Sequence, residues 1–238
     1  MNKFPKVIFS YNPEKDKENI KIGLKTVIEG RNPDPELKKI IDLYGNNPKD
    51  EEILSFLENW WKDKELIKET IIKQLQEYWD SIEEIFFNKL SEKIEIEENF
   101  YEIKKIDGFL SIRYGSGFNS KENWFAVSVQ NGSLSNARVA MHEIMHIFFN
   151  KKWVEFCREE LKLKEKEIWD VREASTVLLN SWFRNLLINL DLGYPEHTEL
   201  RKNIIREWWP ENKDFKKIII LASQYMKENP EKSPVWNK

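Results

Sequence analysis

The sequence predicts an α+β fold in a single domain over residues 1–238: a small antiparallel or mixed sheet, a buried motif helix, a backing helix and a helical C-terminal part. Three observations predict it. Ile67, Ile71, Leu75, Tyr78, Ile82 and Phe86 recur at three- and four-residue steps, the period of one helical stripe against a core. The period drops to two between Ile94 and Val129, as strands require. From Leu134 to Phe149 the chain is apolar nearly all round, which describes a buried helix, and His142-Glu143-Ile144-Met145-His146 lies inside it. The organisation expected is a mostly helical N-terminal part over about residues 1–92, followed by a functional core over about 93–190.

In chain order, Lys6–Tyr11 reads as a short strand and the segment to Tyr44 as two short helices broken at Gly30 and Pro33. Pro48-Lys49-Asp50 opens a helix carrying Ile53, Phe56, Leu57, Trp60 and Trp61, and the stripe from Ile67 to Phe86 then describes the longer helix that backs the sheet. Ile94 and Ile96 alternate with charged residues. Tyr101–Ile106 and Phe109–Tyr114 flank Asp107-Gly108, a strong hairpin signal, so the two segments are expected to pair antiparallel. Gly115-Ser116-Gly117 opens a loop that reaches Asn123. Trp124–Val129 alternates as a half-buried strand, expected at the rim of the motif helix with a free edge that an extended peptide could join. Asn131-Gly132 turns the chain, with Ser135 the expected N-cap of the motif helix and Lys151 and Lys152 complementing the dipole at its end. A charged amphipathic segment, Trp153–Lys166, leads into a helix expected from Ile168 to Leu190. Gly193-Tyr194-Pro195 breaks the chain, and Trp208, Trp209, Phe215, Ile218, Ile219 and Ile220 supply apolar mass for one side of the core. The tail after Pro230 is expected to fray.

The motif carries the chemistry. Residues i and i+4 of a helix stand about 40° apart around the axis and one turn along it, so His142 and His146 can chelate one cation, with Glu143 beside the open position. A tetrahedral Zn²⁺ with three protein ligands keeps its fourth site for water, lowers that water's pKa to about 7 and needs a carboxylate to accept the proton. Unpaired, ionisable groups on a buried turn would each cost several kcal/mol, and a metal satisfies them together. The motif uses two of only three histidines. The third ligand must come from elsewhere: Glu173, between apolar neighbours on the later helix, is the first candidate, Asp170 the second and Glu167 the third. Tyr194 and His197 are the candidates for a donor to a tetrahedral oxyanion, although a loop histidine beside Glu196 and Glu199 reads more simply as solvated.

Composition narrows the classes. A net charge of −3 with both signs mixed along the chain offers no basic stripe for nucleic acid and no basic amphipathic face for a membrane. No apolar leader follows Met1, and no stretch approaches the roughly 18 apolar residues that span a bilayer. A single cysteine, Cys157, excludes an intramolecular disulfide and any Cys-pair zinc site. A cytoplasmic protein acting on a peptide or protein substrate is the expectation.

His142-Glu143-x-x-His146 followed by a glutamate on a later helix resembles the zincin metallopeptidases, in particular the gluzincin branch. Arg172-Glu173-Ala174 running into Leu178-Leu179 is similar to the compact cytoplasmic gluzincin-like peptidases that cleave repressor proteins. The resemblance covers roughly residues 93–190 and implies a zincin fold, with the edge strand near Trp124–Val129 above the active-site helix. It implies Zn²⁺ held by His142, His146 and Glu173, and Glu143 as general base on zinc-bound water in peptide-bond hydrolysis. The larger gluzincins resembling thermolysin carry an aspartate four residues after the ligand glutamate, where this chain has Val177, so Asp170 is expected to orient a histidine instead. The metzincin pattern would need Gly and His at Phe149 and Lys152, and a deformylase-like site would need a cysteine upstream of the motif, whereas Cys157 follows it. The competing reading is a catalytically silent zincin-fold protein that keeps its metal for sensing or partner binding. Glu143 speaks against it, because a purely structural zinc site has no use for a base beside an open position.

Overall fold

Lys6–Ser10 forms β1 with Val7 and Phe9 turned inward. Its outer edge is closed by a helix and not by another strand. From α4 (Glu65–Lys93), Gln76 Oε1 accepts from Phe9 N at 2.8 Å, Gln76 Nε2 donates to Val7 O at 3.1 Å and Glu83 Oε1 accepts from Val7 N at 2.8 Å. These side chains satisfy backbone groups that an edge strand would otherwise present to solvent. The stripe of α4 is buried from Leu75 through Leu90, while Ile67 at its start stays 53% exposed. Between β1 and α4 run α1 (Pro13–Ile28), α2 (Pro35–Tyr44) and α3 (Asp50–Trp61). The first two begin on Asn12 and Asp34, whose side chains accept first-turn N–H groups ahead of a proline. The computed structural model describes residues 4–96 and 103–229, so the start of the expected Tyr101–Ile106 strand and the tail after Pro230 lie outside the described residues.

The expected hairpin at Asp107-Gly108 does not form. β2 (Lys105–Ser111) runs straight through it and pairs parallel with β1 on one side and with β4 (Trp124–Ser128) on the other, with Phe9, Gly108 and Phe125 in register. Gly108 is required for close approach: a Cβ there would lie 2.6 Å from Phe9 Cδ1 and 2.9 Å from Phe125 Cζ. Those two rings meet edge to face, 5.8 Å apart at 78°. β3 (Phe118–Asn119) pairs antiparallel with β4, completing a mixed sheet of order β1-β2-β4-β3. Trp124–Ser128 is therefore an interior strand buried along its whole length, not a half-buried edge, and the edge belongs to two-residue β3.

α5 (Ser133–Lys152) packs on the sheet and on α4, burying Met141, Ile144, Met145, Ile147 and Phe148, with Phe148 against Phe87 at 6.1 Å. It starts earlier than Ser135 predicts. Gly132 is the N-cap, and the Asn136 amide donates to Ser128 O at 2.9 Å, tying the first turn to the end of β4. The other sheet face holds a second cluster, Phe109, Trp124 and Ala126, with Lys15 of α1 over the Trp124 ring at 5.3 Å.

After α6 (Val154–Glu159), the helix expected from Ile168 to Leu190 is two pieces, α7 (Glu165–Ser175) and α8 (Leu178–Trp182). Thr176 Oγ1 donates to Glu173 O at 2.8 Å and Arg201 Nη1 to the same carbonyl at 3.1 Å, so side chains take over an acceptor that a continuing helix would use. The chain closes with α9 (Thr198–Lys202), a π-helical stretch over Asn203–Trp208, α10 (Trp209–Asn212) and α11 (Phe215–Glu228). Phe215 of α11 packs on Phe149, Trp153 and Trp182. Among the described residues no helix is long and apolar enough to cross a membrane.

Candidate metal centre

α5 and α7 touch, and their contact faces carry the polar groups that the apolar surroundings would otherwise exclude. On α5, His142 and His146 stand one turn apart with ring centroids separated by 4.3 Å. On α7, Glu173 reaches both: its Oε1 lies 3.2 Å from His146 Nε2 and its Oε2 3.6 Å from His142 Nε2. One ligand atom from each of the three residues can be chosen with all three within 4.8 Å of one another. In a tetrahedral site with ligand distances of about 2.0–2.1 Å, neighbouring donors stand about 3.3 Å apart, between the two observed separations. His146 is buried, yet neither of its ring nitrogens has a hydrogen-bond partner among the described residues. Two imidazole nitrogens and a carboxylate are also the donor chemistry that zinc takes. The three residues therefore fit a divalent cation.

Asp191 supports the first histidine. Its Oδ2 lies 3.0 Å from His142 Nδ1, and an Nδ1–H donated to it leaves Nε2, on the Glu173 side, as the nitrogen that would give up its proton to a metal ion. Asp191 is itself clamped: its N–H donates to Asn180 Oδ1 at 2.7 Å, and its carbonyl accepts from Asn180 Nδ2 at 2.8 Å and from Arg201 Nη2 at 2.5 Å. Gly193, at φ +62°, donates its N–H to Asp191 Oδ1 at 3.2 Å, and a Cβ there would strike the Arg201 guanidinium at 2.6 Å. Glu143 is buried beside His142, where Ser116 of the loop before β3 donates its hydroxyl to Glu143 Oε1 at 2.5 Å.

The electrostatics follow from three carboxylates converging on two rings. Burial alone would lower His142, but the charge and hydrogen bond of Asp191 carry it up to about 10, while burial holds His146 below its ordinary value. Burial would raise Glu173, yet the two histidines hold it well below the usual carboxylate range; Asp191 is likewise held low against burial, by His142 and then Arg201. A site this rich in anionic oxygen favours a cation, whether a proton or a metal ion.

The other candidates lie elsewhere. Asp170 is fully buried and contacts His197 Nε2 at 3.0 Å and Lys166 Nζ at 3.2 Å, so it neither ligates nor orients a motif histidine. Glu167 accepts from Lys164 N at 2.6 Å at the start of α7. His197 is not solvated: it is buried against Trp169 at 4.9 Å, outside the cleft. Tyr194 does line the cleft, an open cavity of about 820 Å³ that reaches His142, Glu143, His146 and Glu173. Asp191 and Ser116 were missed from sequence. The pair Asp191 and Gly193 signals a local turn, but nothing in that signal indicates which histidine it would meet. No family model, curated protein or solved structure matches the chain.

Proposed function

We propose that the protein is a zinc-dependent metallopeptidase of zincin type, hydrolysing peptide bonds in the cleft above α5. The observation that carries the reading is a cluster of half-buried His142 with buried His146 and Glu173, open to an 820 Å³ cleft, with a further carboxylate beside it that is not needed as a ligand. Zinc held there would supply Lewis acidity toward a substrate carbonyl and bring the pKa of a water to about 7. Asp191 fixes the His142 ring and its tautomer. Glu143, steadied at Oε1 by Ser116, keeps Oε2 for taking a proton from the attacking water and returning it to the leaving amine. Tyr194, on the cleft wall, is the hydroxyl available to a developing oxyanion. With one cysteine, buried and free, we place the enzyme in the reducing cytoplasm, acting on polypeptide.

Metal analysis of the purified chain tests the reading: about one zinc per chain, lost in His142→Ala. Stoichiometric zinc persisting in that variant, or none in the wild type, would contradict it.

A further inference from the structure

Water-exposed apolar side chains are concentrated at this cleft. Twelve large ones are exposed among the described residues, and five of them, Ile22, Tyr114, Leu190, Leu192 and Tyr194, line this one cavity. Leu192 is the most open of the five at 79% exposure, Leu190 equals Tyr114 at 59%, and the two leucines flank Asp191 in a stretch without helix or strand. That stretch is held from beneath, by Asp191 as described and by Asn189 Nδ2 donating to Ser135 Oγ at 3.3 Å on the first turn of α5. The two leucines are thus fixed in place while their own side chains stay in water, which marks a surface built to be covered.

The same wall carries a cation with unused donors. Five cationic side chains line the cleft, and four of them have a carboxylate within 3.5 Å: Arg31 at Glu196, Arg113 at Asp34, Lys166 at Asp170 and Arg172 at Glu173. Arg138, one turn before His142, meets Asp191 Oδ1 only at 3.8 Å, beyond hydrogen-bond distance. Nε is unpartnered among the described residues in Arg138, Arg113 and Arg172 alike, but Arg113 and Arg172 use Nη1 on Asn19 and Asn150. Asp191 is already committed to His142 and Gly193.

We infer that the cleft takes a polypeptide segment in which an acidic side chain stands next to a large apolar one, the carboxylate on Arg138 and the apolar group on Leu190 and Leu192. This deepens the peptidase reading by naming the substrate class of the same cleft. A simple anion would leave the leucines uncovered, and a purely apolar ligand would leave the Arg138 donors unpaired.

Binding is measured on full-length, zinc-loaded Glu143→Gln with three fluorescein-labelled decapeptides, alternating Glu with Leu, Gln with Leu, and Glu with Ala. The Glu/Leu peptide should bind at least about 10-fold more tightly than either of the others, as a charge-assisted contact and a covered apolar pair require. Arg138→Gln should reduce it to the Gln/Leu level while Arg138→Lys retains part of the difference, and Leu192→Ala, at an exposed position, should bring it toward the Glu/Ala level. Equal binding of the Glu/Leu and Gln/Leu peptides overturns the inference, and this comparison needs no change at Arg138. Cleavage by the wild type without the acidic preference overturns this inference and leaves the peptidase reading standing. Tight Glu/Leu binding to Glu143→Gln with no cleavage of that peptide by the zinc-loaded wild type supports the inference and counts against that reading.

Discussion

Asp191 Oδ2 stands 3.0 Å from His142 Nδ1, so the carboxylate that orients the first motif histidine lies 49 residues downstream of it and not on α7. Asp191→Asn should therefore lower zinc affinity about 10- to 100-fold, the usual worth of a group that positions a ligand. Asp170→Asn should change it by no more than a few-fold, because Asp170 is engaged with His197 and Lys166. Competition against a chromogenic chelator ranks the two, and the reverse order would assign the orienting role to Asp170.

Ser116 donates to Glu143 Oε1 at 2.5 Å from a loop that contributes no metal ligand. Removing that hydroxyl in Ser116→Ala should lower kcat about 10-fold or more, as expected from the roughly 1.5 kcal/mol at the low end for a hydrogen bond to a charged group, with zinc content unchanged. Ser116→Thr keeps a hydroxyl and should recover most of the loss. A change in KM alone would show that Ser116 serves substrate binding instead.

Gly108 decides between a hairpin and a continuous strand. With Phe9 and Phe125 within 2.9 Å of its missing Cβ, Gly108→Ala should cost about 1–3 kcal/mol, read as a lower denaturant midpoint. A turn residue facing solvent would tolerate the alanine with little change.

Asp16 gives the fold a pH dependence away from the metal centre. Its carboxyl accepts from Ser111 Oγ at 2.5 Å and from Ile112 N at 3.3 Å, yet burial outweighs both and pushes it up to about 7. An unfolded aspartate titrates near about 3.9, so between about pH 4 and 7 the folded chain holds a proton that the unfolded chain has lost. Stability from this group is thus complete at low pH and declines as pH rises through the window. Asp16→Asn should remove that slope, and over this range its stability relative to wild type should improve by at most about 4 kcal/mol. Parallel pH profiles of urea midpoint for the two proteins would show that Asp16 does not titrate there.

What the sequence made legible was what local spacing encodes. The stripe of α4, the all-round apolar character of α5 and the His142, Glu143, His146 turn each repeat within a few residues, and Glu173 could be named because the turn supplies only two of the three groups that a metal site needs. What was not legible depends on partners distant in the chain. Asp107-Gly108 carries the local signal of a turn, but Phe9 and Phe125, from two other strands, determine its geometry. The break at Thr176 is made partly by Arg201, and α5 begins at Ser133 because Asn136, not Ser135, secures its first turn. Asp191 and Ser116 acquire their roles only once the chain brings them to α5.

The central claim is that Glu143 moves protons in a zinc-dependent hydrolysis, and the direct measurement is Glu143→Gln assayed together for zinc content, thermal stability and cleavage of a peptide library. The substitution keeps size and packing and removes only the base. Zinc content and Tm should match wild type while hydrolysis falls by about 10²- to 10⁴-fold. Cleavage by the variant equal to that of wild type would contradict the mechanism, and absence of zinc-dependent cleavage in wild type would leave a catalytically silent metal-binding protein.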